Sequence, residues 1–146
     1  MDFAKLDLRA ASERGSWVHL HYRGEPIGGD EKPSRIKVRG MGARAVMEAF
    51  RRVERVTALR AERMARTSDR DADGVLMKFQ SDLEDAMVEL VVAAVSDWEN
   101  IEWEGKPLEL TRENVLKICG PGTLFFGQVN TAIVEEHRLF IEADSA

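Results

Sequence analysis

Residues 75 to 96 set the strongest constraint on this chain. Leu76, Phe79, Leu83, Met87, Leu90, Val91 and Ala94 recur at the three- and four-residue steps of a helix, opposite Asp82, Asp85 and Glu89. A methionine and leucine stripe at this spacing is core packing, and it is also a surface that a partner helix can use. A second helical pattern runs from 42 to 66, with Val46, Phe50, Val53, Thr57 and Met64 as its stripe. Arg44, Arg51, Arg52, Arg55, Arg63 and Arg66 fall mainly on its other faces, and no glycine or proline interrupts it.

Ahead of the helices the period changes to two. In "SWVHLHY", Trp17, His19 and His21 alternate with Val18, Leu20 and Tyr22, and "RIKVRG" alternates again with Ile36 and Val38 on one face. The stretch between them is rich in Gly, Pro and Asp, so the two strands read as an antiparallel ribbon joined by a long polar loop. An isolated ribbon is marginal in water, so it must lie against the helices. Residues 1 to 15 read as a lead-in without a defined element.

Downstream of Trp98, "IEWEGKPLEL" predicts a small hairpin near 101–110. Thr111 is placed to cap a short helix with Val115, Leu116, Ile118 and Cys119 on its apolar face, and "GPG" at 120–122 stops it. A last helix is expected from about Thr123 to Leu139, with Phe125, Val129, Ala132, Ile133 and Phe140 facing inward. The expected fold class is therefore α+β in one domain: an antiparallel β ribbon within residues 1–40, then a mainly helical region of about four helices over 41–146.

A chain of 146 residues with 44% hydrophobic and 32% charged residues can build a real core. Its longest uncharged apolar run in the second half, Leu90 to Val95, is far short of the roughly 20 residues that cross a bilayer. The first residues carry charges throughout and lack the apolar stretch of a secretory signal, so the expected location is the cytoplasm of the cell that makes the protein. The net charge of −5 divides unevenly: residues 39–70 carry nine basic and four acidic side chains, residues 71–146 five and sixteen. Arginines beside an apolar stripe, without interleaved aromatics and in an acidic chain, read as a solvated face, and no nucleic-acid partner is expected.

Three features invite a chemical reading. Asp69, Asp71, Asp73 and Gly74 open a D-x-D-x-D-G sequence, the start of an EF-hand calcium loop, but the twelfth position is Gln80 in place of a bidentate glutamate, and there is no second loop. The aspartates are instead expected to form a polar turn, with Asp73 capping a helix that begins near Val75. His19 and His21 share a strand face but lack a third ligand at a recognisable spacing, and His137 is far along the chain. The single cysteine, Cys119, ends an apolar helical pattern with no histidine nearby, the setting of a buried thiol. Neither a catalytic arrangement nor a cofactor motif stands out, so no enzyme and no cofactor is expected.

Taken in order, "GSWVHLHYRGEPIGGDEKPSRIKVRG", a long arginine-rich helix, an acidic helix running into "VSDWENIEWEGKPLELTRENV" and a closing "FFGQVNTAIVEEHRLF" resemble the tail assembly chaperones of long-tailed bacteriophages. The resemblance spans nearly the whole chain. It departs from the usual pattern at "HYRGEPIG", where relatives more often have a proline just ahead of Gly-Glu-Pro, and at "CGPG". What it implies is a non-enzymatic protein of the infected host's cytoplasm, absent from the mature virion, that associates with the tape measure protein and helps recruit tail tube subunits. A longer frameshifted form is common in that family. Phe50, Val53, Leu83 and Met87 are the candidate partner-contacting residues, and homo-oligomerisation is compatible with the resemblance. The alternatives are a virion structural, tail-completion or connector protein, and an EF-hand-like module at Asp69–Gln80.

Overall fold

The computed structural model describes residues 1–135 and 138–140. The fold is mixed α+β, with an antiparallel sheet near the N-terminus and helices after it. Its sheet has three strands, one more than the alternation predicts. Strand β1 (Ser16–His19) and strand β4 (Arg35–Val38) pair antiparallel with Val18 opposite Ile36, and β4 pairs on its other side with β5 (Val95–Glu99). Between β1 and β4 the polar stretch folds back as β2 (His21–Tyr22) and β3 (Glu25–Pro26). Arg23 and Gly24 both take positive φ there, the conformation of a type I′ turn.

Strand β5 corrects the expected helix end at 96. The first long helix, α2, runs Arg44–Arg66, and the second, α3, runs Ala72–Ala94 and passes straight into β5. The Val95 amide still closes the last helical turn on Val91, while the Ala94 carbonyl already accepts from the Arg39 amide at 2.8 Å. A run of valines and alanines satisfies helix and strand periods alike, and pairing with β4 decides where one stops. The aspartate turn is corrected too: α3 begins at Ala72 with Asp71 at the N-cap position, and Asp73 lies in the first turn.

The lead-in is structured. Asp2 and Asp7 cap a 3-10 turn (Phe3–Leu6) and helix α1 (Leu8–Arg14), accepting from the amides of Ala4 at 3.0 Å and Ala10 at 3.1 Å. Helix α1 then docks on the start of α2: the buried Ser12 hydroxyl accepts from Gly42, and the Glu13 carboxylate accepts from the Arg44 amide at 2.7 Å. That carboxylate stands at the positive end of α2, whose own N-cap, Ala43, has no side chain to offer.

After β5, strands β6 (Glu102–Trp103) and β7 (Lys106–Pro107) form a hairpin through a second turn with positive φ at Glu104 and Gly105. Thr111 caps α4 (Arg112–Cys119), its hydroxyl accepting from Asn114 at 3.1 Å. Helix α5 spans Phe126–Val134, later than the expected start at Thr123, because Thr123 is held in a turn on the Gly120 carbonyl. Beyond it, Leu139 is the buried side chain and Phe140 only half-buried, the reverse of the expected order.

The core lies between the sheet and α3, α4 and α5. Val18, Leu20, Ile36 and Val38 meet Val46, Leu90, Val91, Ala94, Val115, Cys119, Val129 and Ile133, all buried. Tyr22, which alternation places with Val18 and Leu20, is exposed because the ribbon leaves the sheet after Leu20. Trp98 pairs with Ile36 across β4 and β5 and donates its ring N–H to the Leu108 carbonyl at 2.9 Å, which ties the second hairpin to the sheet.

Candidate interaction surface

Helices α2 and α3 have 23 residues each and pack against each other as an antiparallel pair, about 35 Å long at 1.5 Å per residue. Only the inner half of this pair reaches the core. Val46 and Ala49 on α2, and Ala86, Leu90, Val91 and Ala94 on α3, are buried; from Phe50 to Asp85 no side chain is. The outer half nevertheless carries Val56, Leu59, Met64, Val75, Leu76, Met77, Phe79 and Leu83. Leu59 is 42% exposed and Met77 71%. A two-helix layer can cover only the strip facing its partner, so apolar residues flanking the seam stay half open to water.

The two sides of this seam differ. On one, Val56, Leu59, Val75 and Phe79 surround a small cavity of about 30 Å³, rimmed by Arg60 and Arg63 of α2 and by Asp82 of α3. The Arg60 guanidinium lies 4.9 Å from the Phe79 ring centroid. Helical spacing at 100° per residue puts Arg52 and Glu89 on this side as well, and the charge of Arg52 reaches Glu89. Glu89 is bonded to Arg112 of α4 at 2.5 Å, and that hydrogen bond, with the Arg112 charge, holds its carboxyl below the usual range. The same spacing puts Phe50, Thr57 and Ala61 of α2 with Leu76, Leu83 and Met87 of α3 on the opposite side, where Glu54 follows Phe50 by one turn.

All four predicted contact residues therefore lie on the helix pair. Phe50, Val53 and Met87 are half-buried and packed against the core, so Leu83 is the one that belongs wholly to the outer half. Thr57 is exposed, its hydroxyl donating to the Val53 carbonyl at 3.0 Å, and does not join the stripe assigned to it. Leu59 and Met77 were not among the candidates; an apolar side chain off the main stripe was the available signal.

The other candidates are placed as follows. Asp69 and Asp71 lie in the exposed turn between α2 and α3, where Asp71 accepts from the Ser68 hydroxyl at 3.2 Å. Asp73, Gly74 and Gln80 are all within α3, so the twelve positions do not form one open loop. Among the described residues, no three His, Cys, Asp or Glu side chains gather in a group able to hold a metal ion. His19 Nε2 is 2.8 Å from the Ile27 carbonyl and His21 Nδ1 is 2.8 Å from the His19 carbonyl, so each ring is committed to backbone. They border an open cavity of about 670 Å³ beside Trp17, Gln128 and Arg138; Gln128 is clamped to the His21 backbone and Arg138 to Glu135. His137 lies outside the described residues.

Cys119 is buried, and burial pushes its thiol up to about 12. Two results are expected. A thiol reagent at pH 8 should label the native protein only as fast as it opens. Above about pH 9 the unfolded chain releases a proton that the folded one keeps, so stability should fall by about 1.4 kcal/mol per pH unit. Urea titrations of the parent and of Cys119→Ala across pH 8 to 11 check this: the extra slope should vanish in the variant.

No helix of the described residues is long and apolar enough to cross a membrane. Comparison with protein-family models, with curated proteins and with solved structures returns no match.

Proposed function

We propose that this chain is a phage tail assembly chaperone: a non-enzymatic protein of the host cytoplasm that holds the tape measure protein in soluble form and helps bring tail tube subunits to it. The observation that carries this reading is the outer half of the α2–α3 pair, which keeps a set of apolar side chains without burying one of them fully. The order of sequence elements, which resembles that family along nearly the whole chain, supports the same reading.

The chemistry is simple. A long helical protein exposes apolar surface until its final partner encloses it, and extended apolar surface aggregates. An amphipathic helix laid along this opposite side of the pair, over Phe50, Leu76, Leu83 and Met87, would complete a three-helix layer and shield both partners. The contact is reversible because it buries half-open side chains and requires no refolding. The acidic stretch 71–146, with sixteen acidic against five basic residues, favours a basic partner such as an incoming tail tube subunit.

Co-expression with the tape measure protein of the same phage tests the reading. The parent chain should raise the soluble fraction of that protein severalfold. Leu76→Glu/Leu83→Glu should abolish the gain while its circular dichroism stays that of the parent, and Lys106→Glu on the β6–β7 hairpin should leave it intact. Equal solubility with and without the chain, or its recovery in purified virions at the copy number of a structural protein, would overturn the proposal.

A further inference from the structure

The charged side of the α2–α3 pair has a pattern that fits one occupant better than any other, a second copy of itself. Helix α2 carries seven arginines against three glutamates, and α3 carries five acidic residues against one lysine. Among the described residues the ion pairs on these two helices stay within one helix (Arg44–Glu48, Arg66–Glu62, Lys78–Asp82) or leave the pair (Glu89–Arg112); none joins α2 to α3. Arg52 and Arg55 are exposed and without an ion-pair partner among them, and so is Asp85. The groove therefore has a basic wall, an acidic wall and an apolar floor of Val56, Leu59, Val75 and Phe79.

We infer that two copies associate through this groove as a symmetric four-helix bundle in which α2 of each copy lies over α3 of the other, with the two helix pairs parallel and their 67–71 turns at the same end.

Symmetry and charge select that arrangement. A two-fold axis running along the helix pairs places each α2 against the second copy's α3, so the basic wall meets the acidic wall twice. A two-fold axis across them would set α2 on α2 and α3 on α3, like charge on like. In the favoured arrangement heights along the bundle are preserved. Because Val56 and Asp82 line one end of the cavity, and Arg63 and Val75 the other, Arg52 and Arg55 stand level with residues 82 to 86. They therefore meet Asp82 and Asp85 of the second copy, one helical turn apart on each side. The Leu59 side chains, open to water in a single copy, enter the bundle interior.

The size of the contact sets its strength. From Arg52 to the tip the groove is about 20 Å long and about 20 Å wide, on the order of 400 Å² per copy, which suits a concentration-dependent dimer and not an obligate one. The side carrying Phe50, Leu76, Leu83 and Met87 stays outward in each pair, so this inference stands apart from the chaperone reading.

Sedimentation velocity over a rising concentration series tests it. At low ionic strength the full chain should shift from monomer toward dimer, and at 1 M salt, where the screening length falls to about 3 Å, the shift should weaken at least tenfold. Arg52→Glu/Arg55→Glu and Asp82→Arg/Asp85→Arg should each be folded monomers, and an equimolar mixture of the two should form the heterodimer, since each remaining wall then meets its opposite. A short bis-maleimide should link two copies of Ser68→Cys through the turns, with the buried Cys119 untouched. A chain that stays monomeric at every concentration, a dimer indifferent to both reversals, a mixture that fails to pair, or a dimer whose Ser68→Cys turns cannot be linked would each overturn the inference.

Discussion

Ile36→Ala should lower the stability of the protein by about 2–5 kcal/mol, enough to remove much of the margin of an ordinary domain. Ile36 sits on the middle strand of the three, opposite Val18 on β1 and Trp98 on β5, and it is wholly buried. Helices cover it on the remaining side, so truncation opens a cavity bounded by elements that hold one another in place. None of them can move in without disturbing the sheet register. Ile36→Val removes a single methylene and should cost about 0.5–1.5 kcal/mol. Leu59→Ala, at a side chain already 42% exposed, should change the stability of the monomer far less. Urea unfolding of the three variants with a shared m-value checks the order. A cost below 1 kcal/mol for Ile36→Ala would mean that the helices do not pack on the sheet as described.

How much of this was legible in the sequence depends on which interaction decided each element. The stripes of α2 and α3, and the alternation at Val18, Leu20, Ile36 and Val38, are local patterns strong enough to predict the element and, Thr57 apart, its inward face. The strand β5 was not legible, because Val91 to Val95 obeys either period and only pairing with β4 ends the helix at Ala94. Helix α1 was missed for a different reason: it is seven residues long, has two buried side chains, and is held by Asp7 at one end and by contacts to Gly42 and Arg44 at the other. Such a helix is made by docking more than by propensity. At the candidate surface, periodicity gave the stripe of Phe50, Val53, Leu83 and Met87 but not the depth of each residue, since depth depends on where the layer beneath α3 stops. The groove lined by Arg60, Arg63 and Asp82 on one side of the pair needed the pairing of the two helices, which no single helical wheel contains.

Gly28→Ala is the second substitution with a large expected effect, about 2–4 kcal/mol, and its cause is backbone rather than core. Gly28 has a φ of +82°, a region that L side chains rarely adopt, and a Cβ built there would lie 1.8 Å from the Lys32 carbonyl oxygen and 2.8 Å from its carbon. Relief would require the Gly28–Lys32 turn to open, yet the Lys32 amide donates to the Gly28 carbonyl at 3.1 Å and the flanking residues are tied down on both sides. The Ile27 amide donates to the Leu20 carbonyl and the Ile27 carbonyl accepts from the Ser34 amide, and the Asn100 side chain donates to the Pro33 carbonyl at 2.8 Å while the Asn100 backbone carbonyl accepts from the Ser34 hydroxyl at 2.7 Å. Moving this turn therefore loosens the seam between the ribbon and β5. The neighbouring glycine separates the two parts of the cost. Gly29 also has a positive φ, +59°, but nothing lies within 4 Å of its added Cβ, so Gly29→Ala should cost only the conformational part, about 1–2 kcal/mol. Thermal and urea unfolding of the pair, with amide chemical shifts of Leu20, Ser34 and Asn100 as local reporters, measure the difference. Equal destabilisation by the two variants would show that the clash with Lys32 is absorbed without cost, and with it would go the claim that this turn is braced against the sheet.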